Sequence, residues 1–178
     1  GNSSVNIDAI NPLKLTETFN VPVTITHDAQ ADSSETGTAY LYVNGQKLAE
    51  KDVTASQQSE LTFDNVSVTS DNHFKLGNNE ILVTYSGTDT YNGSVASYSV
   101  EVGKATPTLT VNSQLEATYV YDYDGTGREL GSGIETKANV SVAGVTVSNH
   151  EEKVLYKNTS ITNAEFTDEL PVLPGVYE

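Results

Sequence analysis

The feature that most constrains this chain is the alternation of apolar and polar residues in short runs, each run broken by a cluster of turn formers. It is clearest over 79–102, NEILVTYSGTDTYNGSVASYSVEV. Ile81, Val83 and Tyr85 share one face of the first run. Ala96, Tyr98, Val100 and Val102 share one face of the second, against Ser97, Ser99 and Glu101. A period of two belongs to a half-buried strand, because successive side chains on an extended backbone point to opposite sides. The Gly, Asn, Thr and Asp between the runs read as a loop, so the stretch predicts the last two strands of a β-sandwich.

The residues before it follow the same rule. Leu13 and Leu15 predict a short opening strand after the break at Asn11-Pro12, and Val21, Val23 and Ile25 predict a second strand with an aliphatic inner face. The segment 29–37 is small, polar and acidic and reads as a solvated loop. Ala39, Leu41 and Val43 then alternate with Thr38, Tyr40 and Tyr42, and the run ends in Asn44-Gly45. That pair is favoured in a two-residue hairpin because both positions take positive φ. The return strand, 46–53, carries Lys47, Glu50, Lys51 and Asp52, the charge expected of an edge that must not recruit another chain. Leu61 and Phe63 are out of phase with Val66 and Val68, which predicts a bulge near Asp64-Asn65.

The count is roughly seven strands in about 100 residues, the number and size of an immunoglobulin-like sandwich. Tyr85 is placed to act as a tyrosine corner, ring buried and hydroxyl returned to nearby backbone. The order Leu76-Gly77, an alternating run, Tyr85-Ser86-Gly87, Asp89, Tyr91, Gly93-Ser94 and a terminal Val-rich strand resembles the bacterial Ig-like repeats found in tandem on surface and secreted proteins. Gly103-Lys104-Ala105-Thr106-Pro107 marks a linker, since Pro107 cannot donate to a continuing ladder, and KATPTLTV is similar to the joints between such repeats. The expected organisation is all-β: two tandem immunoglobulin-like β-sandwiches joined by a short linker, over 1–104 and 105–178.

In the second half, Ala117, Tyr119 and Tyr121 alternate, Ala138, Val140 and Val142 make a clean strand, Val145 and Val147 follow a turn at Gly144, and Val154-Leu155-Tyr156 starts another run. Segment 174–177, Pro-Gly-Val-Tyr, resembles the opening of a penultimate strand in such repeats. On that resemblance the second sandwich is expected to be truncated, lacking its last two strands.

Composition excludes more than it selects. The chain has 9 basic and 24 acidic residues, a formal charge of −15, with −8 before the linker (5 basic, 13 acidic through Lys104) and −7 after it (4 and 11). Such a field repels phosphate backbones and anionic lipid, which argues against nucleic-acid partners. It favours cations, basic surfaces and neutral glycans. Without Cys there is no disulfide framework, thiolate site or cysteine nucleophile. No apolar run approaches the roughly 20 residues of a membrane span, so no membrane insertion is expected of this segment. GNSS lacks the regions of a signal peptide, and an exported protein of this sequence is expected to be a fragment that has lost its leader.

Few residues suggest chemistry. His27, His73 and His150 lie far apart in sequence and read as solvated imidazoles, and nothing resembles a nucleophile elbow, so a hydrolase is disfavoured. Asp122, Asp124 and Gly125 in YDYDGTG resemble the start of a calcium loop, where alternate carboxylates supply hard oxygen ligands. An EF-hand counted from Asp122 would need Glu where Gly133 stands, so Asp122 and Asp124 are calcium candidates on charge density alone. Tyr40 and Tyr42, on the face opposite Ala39, Leu41 and Val43, are candidates for a glycan platform, because sugar rings pack on aromatic faces. An isopeptide cross-link would need a buried Lys, and Lys47, Lys51 and Lys75 all sit in polar stretches.

These readings predict no catalytic residue and no cofactor beyond calcium. The expected function is that of a structural or adhesion module of an exported bacterial protein, a stalk or spacer at the cell surface. Its expected partners are neighbouring repeats of the same chain and a host or cell-wall glycan or protein. The alternative is a glycan-binding accessory module of a secreted carbohydrate-active enzyme.

Overall fold

The computed structural model describes residues 1–28 and 34–178, and within them the chain divides into two compact units, Gly1–Thr106 and Pro107–Glu178. Part of the predicted loop 29–37 thus lies outside the described residues. Its last two positions already belong to a strand.

Unit 1 is an immunoglobulin-like β-sandwich. Eight strands build it: β1 (Ser3–Ile7), β2 (Leu13–Lys14), β3 (Thr18–His27), β4 (Thr36–Val43), β5 (Gln46–Thr54), β6 (Gln58–Ser67), β7 (Gly77–Gly87) and β8 (Asn92–Gly103). One sheet has the order β1-β3-β6 and the other β2-β8-β7-β4-β5. The first strand, which has only Val5 and Ile7 as its apolar signal, is held by its ladder to β3, with Val5 opposite Ile25 and Ile7 opposite Val23. Pro12 lacks an N–H and interrupts the chain. The following residues then cross to the other sheet, where β2 runs parallel to the end of β8 with Leu13 opposite Val102.

The inner faces are those the alternation marks. Val21, Val23 and Ile25 of β3 and Phe63 and Val66 of β6 face Ala39, Leu41 and Val43 of β4 and Ile81, Val83 and Tyr85 of β7 across one core. Burying each Val, Ile or Leu is worth about 1.5–3 kcal/mol relative to exposure. Of the strand pair in 79–102, β7 lies between β8 and β4, and β8 is flanked on its other side only by the two-residue β2; one face of β7 packs on the core, so alternate residues from Asn79 to Gly87 are buried.

Three local predictions are met. Asn44 and Gly45 take φ of 48° and 81° in the hairpin between β4 and β5, and β5 is the sheet edge. On the ladder of β3 and β6, Phe19 pairs with Val66 and Val21 with Phe63, so Asn20 alone faces both Asp64 and Asn65. Asn65, at φ 53°, donates its N–H to the Asn20 side-chain oxygen at 2.9 Å. This bulge brings Phe63 and Val66 into the same core although they are out of phase in sequence.

Unit 2 is also built of β-structure, but with one small sheet. Strands β9 (Thr108–Val111), β10 (Ala138–Val142) and β11 (Val145–Thr146) pair in the order β11-β10-β9. The runs at 117–121 and 154–156 are not strands, contrary to the sequence reading; Tyr156 makes a single bridge to Thr167. Alternation produces a two-faced segment, but a strand also needs a neighbour to take its ladder bonds, and 117–121 has none. Among the described residues, the one buried hydrophobic side chain of unit 2 is Tyr156. Its hydroxyl accepts a hydrogen bond from Leu130 N at 3.1 Å.

Candidate functional site

Tyr40 and Tyr42 lie on the outer face of the five-stranded sheet, as alternation requires. Tyr40 sits beside Thr84, which pairs with Val95; Tyr42 sits beside Leu82, which pairs with Ser97. Both tyrosines are half-buried and Val95 is 60% exposed. Acids border this strip, with Glu50 opposite Tyr40 and Asp52 opposite Thr38. Lys47 Nζ stands 4.8 Å from the centre of the Tyr40 ring and is hydrogen-bonded to Glu50. That bond holds the Lys47 ammonium above its usual pKa, despite the opposing desolvation. One ring of the predicted pair is therefore already covered by a cation.

The acidic loop of unit 2 has a different geometry from a calcium loop. Asp124 Oδ1 accepts from Thr126 N at 2.9 Å and from Thr126 Oγ1 at 2.6 Å, and Oδ2 accepts from Arg128 at 2.7 Å. The hydrogen bonds from Thr126, helped by the Arg128 charge, keep the Asp124 carboxyl below its ordinary pKa. Arg128 also donates to the Asp122 backbone carbonyl at 3.2 Å. A cation at Asp124 would have to displace the guanidinium. Among the described residues, no group of three or more His, Cys, Asp or Glu side chains is placed to hold a metal ion.

His27 departs from the sequence reading. It is 5% exposed, with Nδ1 2.6 Å from the Ser56 carbonyl oxygen and Nε2 3.4 Å from the Tyr85 hydroxyl. Its ring meets those of Tyr85 and Tyr91 edge-on, with centres 5.7 and 4.5 Å apart. Tyr85 is thus not a tyrosine corner: its ring is buried, but its hydroxyl faces the imidazole rather than nearby backbone. Burial, with a smaller contribution from the Glu35 charge, pushes the Tyr85 phenol up. The signal was available, because Val21, Val23, Ile25 and His27 are consecutive inward positions of one strand. His73 is exposed at φ 69°, and His150 Nδ1 lies 2.9 Å from the Val147 carbonyl. The three imidazoles do not form a site.

A second buried polar centre, in phase with Ile81, Val83 and Tyr85, is Asn79, 1% exposed. Its Oδ1 accepts from Asn44 Nδ2 at 2.8 Å and Lys75 N at 3.0 Å. Its Nδ2 donates to the carbonyls of Lys75 at 2.8 Å and Gly77 at 2.9 Å. This pins the β4–β5 turn to the start of β7. The three lysines considered for cross-linking are exposed. Lys51, opposite the inward Ala39, donates to the Thr62 carbonyl at 2.5 Å, and a charge aimed inward from an edge strand discourages strand addition.

The ends of unit 1 are the last geometric fact. The Gly1 amino group donates to the Thr90 carbonyl at 2.7 Å, and Asn92 N donates to the Gly1 carbonyl at 2.9 Å, so the chain enters beside the start of β8. It leaves at the end of the same 12-residue strand, where Leu15 N donates to the Gly103 carbonyl at 3.0 Å. At a rise of about 3.3 Å per residue, entry and exit are separated by roughly 36 Å along the sandwich.

No family model matches this chain and no curated protein sequence matches it. Among solved structures it is similar to the CARDB domain of a Pyrococcus furiosus protein, a crystal structure in complex with di-metal ions. The identity is 14%, the TM-score is 0.40, and the match covers 57% of this chain and 90% of that one. At that level of similarity the match bears on neither ligand nor function.

Proposed function

We propose that this chain is a non-catalytic structural segment of an exported bacterial protein, a stalk or spacer at the cell surface made of bacterial Ig-like modules. The observation that carries this reading is the placement of the ends of unit 1 about 36 Å apart along its longest strand. A module entered at one end and left at the other lengthens a chain, whereas one with adjacent ends hangs from it. The inward Lys51 and the charged edge strand β5 support the same reading, since neighbouring copies of a surface module must not merge their sheets.

The test is an exchange. In the exported protein that carries this segment, an unrelated β-sandwich with the same end-to-end length is substituted for residues 1–106. A spacer predicts that display and adhesion persist with the replacement and decline when a much shorter linker is used. Loss of adhesion with the length-matched replacement refutes the reading.

A second reading, a glycan-binding accessory module of a secreted carbohydrate-active enzyme, is supported by the outer strip of Tyr40, Tyr42, Leu82 and Val95. Binding to a glycan array that is unchanged by Tyr42→Ala refutes that use of the strip.

A further inference from the structure

Residues 1–15 run beside β8 in the same direction, from Gly1 next to Asn92 to Leu15 next to Gly103. We propose that unit 1 is a load-bearing module, in which tension along the chain draws β1 and β8 past each other in shear. Tension acts on a segment attached at both ends, so the source of the load rests on the spacer reading. The resistance to it rests on the hydrogen bonds of unit 1.

Contacts between the two segments are spread over the length of β8. At the entry end, the Ser3 hydroxyl donates to the Asn92 carbonyl at 2.7 Å and lies 2.7 Å from Ser94 Oγ, and Asn92 Nδ2 donates to Asn2 Oδ1 at 3.0 Å. In the middle, the Tyr98 hydroxyl donates to the Ile10 carbonyl at 3.2 Å. At the exit end, β2 pairs in parallel with Val102 and Gly103, and Lys14 Nζ donates to Thr106 Oγ1 at 3.0 Å. The partners advance together, from Ser3 beside Ser94 to Lys14 beside Gly103, so the two segments are parallel throughout.

Chain direction decides what tension does to these bonds. A load entering at Gly1 and leaving past Gly103 acts at opposite ends of a parallel pair, so it draws β1 backward and β8 forward along their own axes. Ladder bonds run between strands rather than along them, and such a load stretches all of them at once. The other neighbours are loaded in the same way: β1 is laddered to β3 over Ser3–Ile7, and β8 to β7 from Asn92 opposite Gly87 to Val102 opposite Gly77. The hairpin of β4 and β5 has the opposite geometry. Thr36 and Thr54 pair at its open end, and a load between them peels the ladder one pair at a time toward Asn44-Gly45. Forced unfolding is governed by the unfolding rate, and losing many bonds together sets a higher barrier than losing them in succession.

The experiment is constant-force optical tweezers on the full chain, which has no native Cys and so takes handles at chosen positions. One version is held by a peptide tag ahead of Gly1 and by Lys104→Cys. The other is held by Thr36→Cys and Thr54→Cys, coupled under reducing conditions; Lys104, Thr36 and Thr54 are all exposed. At one force, unit 1 held end to end should survive on the order of a hundredfold longer than unit 1 held across the hairpin, as the simultaneous loss of about three more net hydrogen bonds gives. Ser3→Ala should shorten the end-to-end lifetime about tenfold and Tyr98→Phe about fivefold. Neither should change the lifetime across the hairpin, because peeling β5 leaves β1 and β8 in place. An end-to-end lifetime equal to or shorter than that across the hairpin overturns the proposal. So do variants that shorten both lifetimes by the same factor, which would show a general loss of stability. A long end-to-end lifetime with adhesion lost on the length-matched exchange refutes the spacer and leaves the shear geometry standing, whereas a short one with adhesion kept refutes the load-bearing role alone.

Discussion

Replacing Asn79 by Ala tests the account of unit 1 at its most specific point, because this one carboxamide satisfies four groups from two connections. Lys75 N, Lys75 O and Gly77 O lose their bonds to it, and Asn44 Nδ2 keeps only its bond to the His73 carbonyl; at 1% exposure little water can replace the lost group. A hydrogen bond is worth about 1 kcal/mol net, and more when its removal leaves a buried group unpaired. The Lys75 backbone lies at an exposed residue and recovers part of its loss, so the expected cost is about 2–4 kcal/mol. With a urea slope of about 1.5 kcal/mol per molar, the unfolding midpoint of unit 1 should fall by roughly 1–3 M. The amide resonances of Ile81 and Val83 report that transition without interference from unit 2. Asn79→Asp keeps the acceptor for Asn44 and Lys75 but places a carboxylate against two carbonyl oxygens. It should cost more than Ala at pH 7 and regain part of the difference from wild type near about pH 4, where the protonated acid can donate one bond. A midpoint for Asn79→Ala within about 0.3 M of wild type, a difference of about 0.5 kcal/mol, would refute the reasoning.

Three further outcomes are expected. A methyl group on Gly37 would lie 2.4 Å from the Gly87 carbonyl oxygen and 2.5 Å from the Tyr85 ring, so Gly37→Ala should destabilise unit 1 by about 1–3 kcal/mol in the same urea assay. The raised Tyr85 pKa means that the fold holds the phenol proton more tightly than the unfolded chain does. That contribution is intact below the ordinary value of 10.0 and is lost as pH rises through the folded value. The stability difference between wild type and Tyr85→Phe should accordingly be flat between pH 7 and 9 and move in favour of the variant above pH 10; a difference constant to pH 11 would contradict it. Tyr156→Ala removes the one buried hydrophobic side chain of unit 2 described here, at a cost of about 3 kcal/mol. Limited proteolysis read by mass spectrometry should then remove residues 107–178 faster than in wild type and leave 1–106 intact.

Much of unit 1 was legible because its signals are local. The alternation of Ala39, Leu41 and Val43 against Tyr40 and Tyr42 specifies both the strand and the outward face carrying the tyrosines. The phase change between Phe63 and Val66 specifies the bulge. Unit 2 was less legible. Tyr119 and Tyr121 were visible as a two-faced pair and were read as a strand, but no described segment of unit 2 pairs with 117–121. His27 shows a subtler limit: its inward phase was visible, but a lone imidazole at the end of a strand gives no sign of the Tyr85 and Tyr91 rings that enclose it.

By itself the sequence determined which segments can extend, which faces are apolar, where the chain turns at Asn44-Gly45, and that its charge disfavours polyanions. These follow from side-chain alternation, backbone sterics and charge, each a property of a few adjacent residues or of the composition as a whole. Only the tertiary structure decided that β7 lies inside its sheet, that β2 runs parallel to the end of β8, that Asn79 ties a turn to a strand, and that the alternating residues 117–121 remain outside any sheet. The physical reason is that a ladder or a buried polar contact needs a partner from a distant part of the chain. An alternating pattern is compatible with many such partners or with none.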